Sequence, residues 1–234
     1  MPSPAAGREP RQSVPDRLPS TPGRPPVSSS LRVADEFFLL ALDERTGRFR
    51  LHRRATDLGL AAALLAELFF LGRITLHEGW PAVLDDRPCP DDLQQSVLGQ
   101  MCAQPPSPTR AWLGFLAVHA RDAVAARLCQ AGRISSRRSG LRWYRRTMYL
   151  PTDANTAAWP CARLSRELRT FQHLEPVDVA LAGIALRTGL DRHLLDGASS
   201  AVHAHLAGLV DRARPPVYDL LTDVDVAVGE STLS

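Results

Sequence analysis

The 234 residues contain no lysine: all 28 basic side chains are arginine, set against 25 acids and seven histidines. Lysine codons are A-rich and most arginine codons GC-rich, so the simplest cause is a GC-rich, bacterial genome. The choice of Arg over Lys therefore says little about bidentate anion recognition. No long hydrophobic run is present either. The most apolar stretch, Leu58 to Leu71, has 14 positions and includes Glu67, too short and too charged to cross a bilayer. The first 30 residues hold eight prolines and no apolar segment of the secretory kind. Cys89, Cys102, Cys129 and Cys161 stand 13, 27 and 32 positions apart. None forms the close pair of a zinc knuckle or a redox dithiol, so they read as scattered thiols of a reducing cytoplasm. Catalytic signatures are missing too: no Gly-x-Ser-x-Gly elbow, no phosphate-binding glycine loop, no His-Glu-x-x-His. The expectation is a non-enzymatic protein without cofactor or metal.

What the chain does have is one concentrated block of positive charge. Six arginines and no acid lie between Arg133 and Arg146, and they reverse the sign of the molecule: 28 − 25 = +3 with them, 22 − 25 = −3 without. Codon bias sets the residue type but not where charge accumulates. Arg137, Arg138, Arg142, Arg145 and Arg146 are interleaved with Trp143 and Tyr144, with Tyr149 close behind. Cations mixed with amphipathic rings suit a surface that meets phosphate, in a lipid headgroup layer or a nucleic acid. The bland alternative is an ordinary solvated face.

Composition divides the chain into three parts. Residues 1–30 lack large apolar side chains and read as a disordered Pro/Ser/Arg-rich arm. Residues 31–225 form one domain, and 226–234 a polar tail that frays. Within the domain, Leu31 to Leu42 is a short helix, followed by a turn at Asp43–Gly47 and a short strand to His52. Asp57 is the expected cap of a helix running to Phe70 or Leu71, apolar nearly all round and therefore central. Ile74 to Leu84 is a small hairpin. One helix opens at Pro90–Asp92. A long one runs from Ser107 to Gly132, with Leu113, Leu116, Ala120, Val124 and Leu128 as its buried stripe. The arginine-rich segment is an exposed β-hairpin turning around Arg138–Gly140. Helical periodicity returns from Cys161 to Ala213, and the stretch after Pro215 is mixed. The fold class is mainly α: a helical core around a buried central helix, wrapped by amphipathic helices, with short strands and a projecting basic hairpin.

Three motifs in this order resemble the Golgi phosphoprotein 3 family. Ala34-Asp-Glu-Phe-Phe-Leu-Leu-Ala-Leu-Asp43 with Thr46-Gly47 resembles its opening helix and turn. Leu58-Gly-Leu60, Leu65-Ala-Glu-Leu68 and Gly72-Arg-Ile74 resemble its central helix. Ala125 to Ile134 resembles the lead into its hairpin. The resemblance implies a mostly helical protein, peripheral on the cytoplasmic face of a membrane, that binds phosphatidylinositol 4-phosphate. The family pocket uses a tryptophan after the first strand, an arginine on the central helix and two arginines three apart on the long helix. These positions fall on His52, Ala61, Val118 and Arg121, so Arg121 alone is retained. Arg53 and Arg54 are expected to restore part of the charge. The candidate headgroup site is therefore His52, Arg53, Arg54 and Arg121. The candidate membrane contact is the hairpin with Arg137, Arg138, Arg142, Trp143, Tyr144, Arg145 and Arg146.

Other constellations carry less. His203 and His205 point to different sides of a helix and do not share a metal. Asp85-Asp86 and Asp91-Asp92 read as turn and cap residues. Glu67, an acid on the apolar helix, reads as a carboxylate reaching a neighbouring arginine. The expected partners are anionic, phosphoinositide-like lipids, with membrane-protein tails or self-association through the hairpin. A winged-helix-like nucleic-acid binder and a protein-interaction scaffold stand as alternatives. Against nucleic acid, the polar residues of the Ser107–Gly132 segment are scattered round it rather than gathered on one reading face.

Overall fold

A computed structural model describes residues 32–139 and 146–232. The Pro/Ser/Arg-rich arm lies outside the described residues, as do Arg142, Trp143, Tyr144 and Arg145. The architecture is mainly helical with short antiparallel strand pairs. The elements are α1 (Val33–Ala41), β1 (Leu42–Asp43), β2 (Arg48–Phe49), α2 (Arg53–Phe70), β3 (Ile74–His77), β4 (Trp80–Val83), α3 (Asp92–Ala103), α4 (Thr109–Ala117) and α5 (Ala120–Gln130). They continue with β5 (Ile134–Ser139), β6 (Arg146–Pro151), α6 (Ala154–Arg169), α7 (Pro176–Thr188), α8 (Asp191–Leu194), α9 (Ser200–Asp211) and α10 (Pro215–Thr232).

Helix α2 is the centre. Every residue from Ala55 to Leu68 is buried, as a helix with no polar face requires. It packs against α1, α3, α4, α5, α7 and α10. Close approach to α1 depends on Gly59: a Cβ there would stand 2.3 Å from Cζ of Phe37. Gly47 serves a second junction. Its φ of +67° closes the β1–β2 turn, and its carbonyl accepts from the Tyr149 N–H at 3.1 Å. That bond ties the β1–β2 turn to the root of the β5–β6 hairpin.

Several expectations are corrected. Asp57 does not cap α2; it sits in the second turn, and His52 is the cap, its Nδ1 accepting from the Ala55 N–H at 3.4 Å. The long helix from Ser107 to Gly132 is two helices. At Val118 and His119 the backbone N–H groups shift to acceptors three residues back, Phe115 and Leu116, and His119 leaves helical geometry at φ −123°. Tertiary packing overrides the continuous periodicity here: α4 lies on α2 and α10, whereas α5 lies on α1, α2 and α3. The stretch after Pro215 is not mixed but a helix, α10, burying Val217, Leu220, Leu221, Val224 and Ala227. Arg138 and Ser139 are not in the turn of the hairpin, because β5 continues paired through Ser139 opposite Arg146; Gly140 lies outside the described residues. Tyr149 is only 6% exposed and stands edge-on to Phe38 and Phe49 at centroid distances of 5.3 and 5.9 Å. It anchors the hairpin to the core.

The interior also contains charge. Arg127 on α5 is 8% exposed and holds three other helices. Its Nε donates to Asp35 of α1 at 2.8 Å. Nη2 and Nη1 donate to the two oxygens of Glu67 on α2, at 2.9 and 3.0 Å. Nη1 also reaches Asp91, the cap of α3, at 3.0 Å. Glu67 is completed by the Ala34 N–H at 2.9 Å and the Gln94 side-chain amide at 2.8 Å. Burial pushes the Asp35 carboxyl above its ordinary range despite Arg127. Burial also raises Asp91, but the Gln94 N–H and Arg127 outweigh it, and Asp91 ends below its ordinary value.

Arg127→Met should therefore strand three carboxylates. Removing one member of a buried ionic cluster costs about 3–5 kcal/mol, readable as a lowered urea midpoint. The loss should shrink as pH falls and the stranded carboxyls take up protons. Arg166→Ala, at an exposed arginine, should change stability by less than about 0.5 kcal/mol. Equal effects from the two substitutions would show that the cluster does not hold the helices together.

Candidate anion-binding site at the start of the central helix

Helix α2 begins unusually. Its first turn contains no acid, and its first two residues are Arg53 and Arg54. Cations at the positive end of a helix are disfavoured by about 0.3–1 kcal/mol each, so this end carries excess positive field. Arg53 is 74% exposed at its side chain, with Nε 3.4 Å from Oδ2 of Asp57 one turn on. Arg121, near the start of α5, approaches the same carboxylate from the other side, Nε 3.6 Å from Oδ1. The Arg121 guanidinium also lies over the Phe49 ring at 5.9 Å, at the foot of the hairpin near Tyr149.

Two cations thus share one anion. The Asp57 carboxyl is raised above its ordinary value by burial, against the pull of Arg121 and Arg53. Its Oδ1 accepts no hydrogen bond among the described residues. Asp57 is a buried counter-ion shared by Arg53 and Arg121.

Of the four candidate headgroup residues, Arg53 and Arg121 converge, and His52 stands beside them as the helix cap. His52 Nδ1 is the acceptor for the Ala55 N–H. Arg54 turns elsewhere. It lines a groove of about 410 Å³ with Leu58, Arg110, Gly114 and Ala227, 4.0 Å from where a Cβ on Gly114 would stand. Ala61, where the family resemblance puts an arginine, is 0% exposed, and Val118 is 61% exposed. An arginine at 118 would be free, but one at 61 would be driven into the core. In the hairpin Arg137 is exposed, beside exposed Ser135, Ser136 and Thr147; the backbone of Arg138 and Arg146 pairs across the strands.

Sequence reasoning missed Asp57 as a member of this site, because it fitted the pattern of a helix cap. The spacing Arg53-x-x-x-Asp57 was the available signal, since residues four apart on a helix meet. Among the described residues no group of three or more His, Cys, Asp or Glu side chains could hold a metal ion. No described helix is long and apolar enough to cross a membrane.

The Golgi phosphoprotein 3 (GPP34) family model matches residues 33–224. That span covers most of the chain, from α1 into α10, and the chain belongs to this family. No curated protein matches it.

Asp57→Asn should release both arginines without disturbing the fold. A carboxyl with a raised folded-state pKa costs stability once ionised, so the neutral isostere should be as stable as the parent at neutral pH. Binding to anionic vesicles should strengthen several-fold, given about 1 kcal/mol per basic residue near such a surface. Acidification should strengthen the parent more than the variant, because protonating Asp57 has the same effect as replacing it. A variant that binds anionic vesicles no better at neutral pH would show that Asp57 does not withhold Arg53 and Arg121 from anions.

Proposed function

We propose that this protein is a non-enzymatic peripheral membrane protein, docking on anionic phospholipid headgroups and able to serve as an adaptor. The observation that carries the reading is the start of α2, where Arg53 and Arg54 stand at the positive end of an 18-residue helix with no first-turn acid and Arg121 joins Arg53 at Asp57. Membership of the Golgi phosphoprotein 3 family supports it. The headgroup that the resemblance implies is phosphatidylinositol 4-phosphate. The docking face would comprise the start of α2, Arg121 and the arginine-rich hairpin, on the inner, cytoplasmic face of the membrane.

Charge-assisted contacts to phosphate contribute roughly 1.5–3 kcal/mol each. A site that keeps one of the three family arginines should attract anionic surfaces in general and distinguish among headgroups weakly. Attraction of this type is long in range and sensitive to salt, screened over about 8–10 Å at physiological ionic strength.

Vesicle flotation tests this directly. The protein should float with phosphatidylserine and phosphatidylinositol 4-phosphate vesicles, not with phosphatidylcholine, and release as salt rises. Arg53→Ser with Arg121→Ser, made together with Asp57→Asn so that no buried carboxylate is stranded, should weaken flotation by roughly tenfold or more, two cations at about 1 kcal/mol each. Equal binding to neutral vesicles would defeat the proposal. So would duplex DNA that binds tighter than anionic vesicles at matched salt.

A further inference from the structure

Helix α4 breaks the rule that α2 obeys. From Ala111 to Val118 no side chain is charged, and the only heteroatom is the Trp112 indole nitrogen. A helix apolar all round belongs in the interior. Helix α2 meets that requirement, whereas α4 packs against α2, α5 and α10 on one side, where Trp112, Leu113, Leu116 and Ala117 are buried. On its other side Phe115 is 47% and Val118 61% exposed. They stand three positions apart and share a face, since Val118 keeps helical backbone geometry at φ −58°; exposed Ala111 lies one turn behind Phe115. The Phe115 ring is edge-on to Trp112 at 5.6 Å, so it is braced from within while half of it faces water.

Arginines frame this face. Arg54 of α2 comes within 4.0 Å of where a Cβ on Gly114 would stand. Arg121 follows three positions after Val118, across the break at His119, 3.6 Å from the Asp57 carboxylate that it shares with Arg53. The acids near α4 and the start of α5 have partners. Asp122 accepts from the Tyr149 hydroxyl, and Asp223 and Glu230 stand by Arg110 at the opposite end of α4. Apolar side chains rimmed by cations suit the interface of an anionic bilayer, where the rings and branched chains sink among the upper acyl chains and the cations stay with the phosphates.

We propose that the corner between α4 and α5 enters an anionic bilayer, Phe115 and Val118 passing below the headgroups that Arg53, Arg54 and Arg121 meet. The proposal rests on the membrane reading above and adds an apolar contact to it, made by two residues that belong to neither the candidate headgroup site nor the hairpin. Valine at 118, where the family resemblance puts an arginine, suits the layer beneath the phosphates rather than the phosphates themselves. Attachment then has two parts: attraction by the arginines, which salt screens, and burial of apolar surface, which salt does not weaken.

Flotation with phosphatidylserine vesicles tests the proposal. Phe115→Ser with Val118→Ser should weaken binding by roughly tenfold or more, as apolar surface loses its place below the headgroups, and the variant should release at lower salt than the parent. Val118→Ser alone should weaken binding by roughly threefold; it alters the more exposed side chain and decides the case if the double variant has a lowered melting temperature. In Val118→Trp, lipids brominated on their acyl chains should quench emission beyond the quenching of the parent's own tryptophans. If the parent floats and the serine variants float equally well at every salt, or if Val118→Trp is quenched no more than the parent, insertion is overturned and headgroup docking stands. A parent that does not float overturns both. Should light scattering show a dimeric parent and a monomeric double variant, the corner is an interface between copies and the proposal fails.

Discussion

The buried clasp of Arg127 on Asp35, Glu67 and Asp91 sets the arrangement of four helices. An apolar helix such as α2 packs against almost any apolar neighbour, so hydrophobic burial alone leaves rotation and register loosely specified. A guanidinium fork that meets carboxylates on two helices and at the cap of a third restricts both. It also accounts for the break after α4. Helix α5 has to aim Arg127 inward at α1, α2 and α3, and a straight continuation of α4 keeps to the α2–α10 side instead. A second clasp repeats the device. Arg163 of α6 holds Glu36 of α1 at 2.7 Å and Asp178 of α7 at 2.6 Å. Adjacent acids on α1 are thus gripped from two directions.

This division sorts the arginines by task. Arg127 and Arg163 are consumed internally, and Arg73 is paired with Asp85 beside the β3–β4 hairpin. Arg54, Arg137 and Arg192 keep their charge on the outside. Every Lys/Arg-type cation is arginine, so residue type does not separate them; only position decides which hold the fold and which stay exposed. The net charge of +3 conceals the division.

The helical class, the central helix and two of the three strand pairs were legible in the sequence because each rests on local information: periodicity, turn residues and abrupt changes in polarity; β1, read as the end of a helix, was not. The identity of α2 as the centre followed from its lack of a polar face. What was illegible depended on tertiary partners. The stripe from Leu113 to Leu128 keeps helical spacing through His119, so nothing local announces that its halves cover different neighbours. Helix α10 alternates acids with valine and leucine so closely that its buried face emerges only once α2, α4 and α7 are in place. Tyr149 looked like part of an interfacial aromatic cluster, yet Phe38 and Phe49 draw it inward. At the site, Arg53 and Arg121 are 68 positions apart in a chain rich in arginine, and only folding shows that they share Asp57.

The alanine at 61, where the family resemblance puts an arginine, constrains how this chain can meet anions. Ala61 is enclosed on every side, and an arginine there would need both a large cavity and a counter-charge, so single substitutions do not reverse the change. Positive charge stands at the helix start instead. Arg53 and Arg54 oppose the macrodipole, which disfavours them in the isolated protein and leaves Asp57 as partial relief. An external anion would relieve the same repulsion more fully, because it could meet both the arginines and the outward N–H groups of the first turn. Strain between like charges at one end of the central helix is then the source of any affinity that end has for an anionic surface. The same reasoning limits selectivity: a field from a helix start and two exposed side chains attracts negative charge without measuring the shape of the group that bears it.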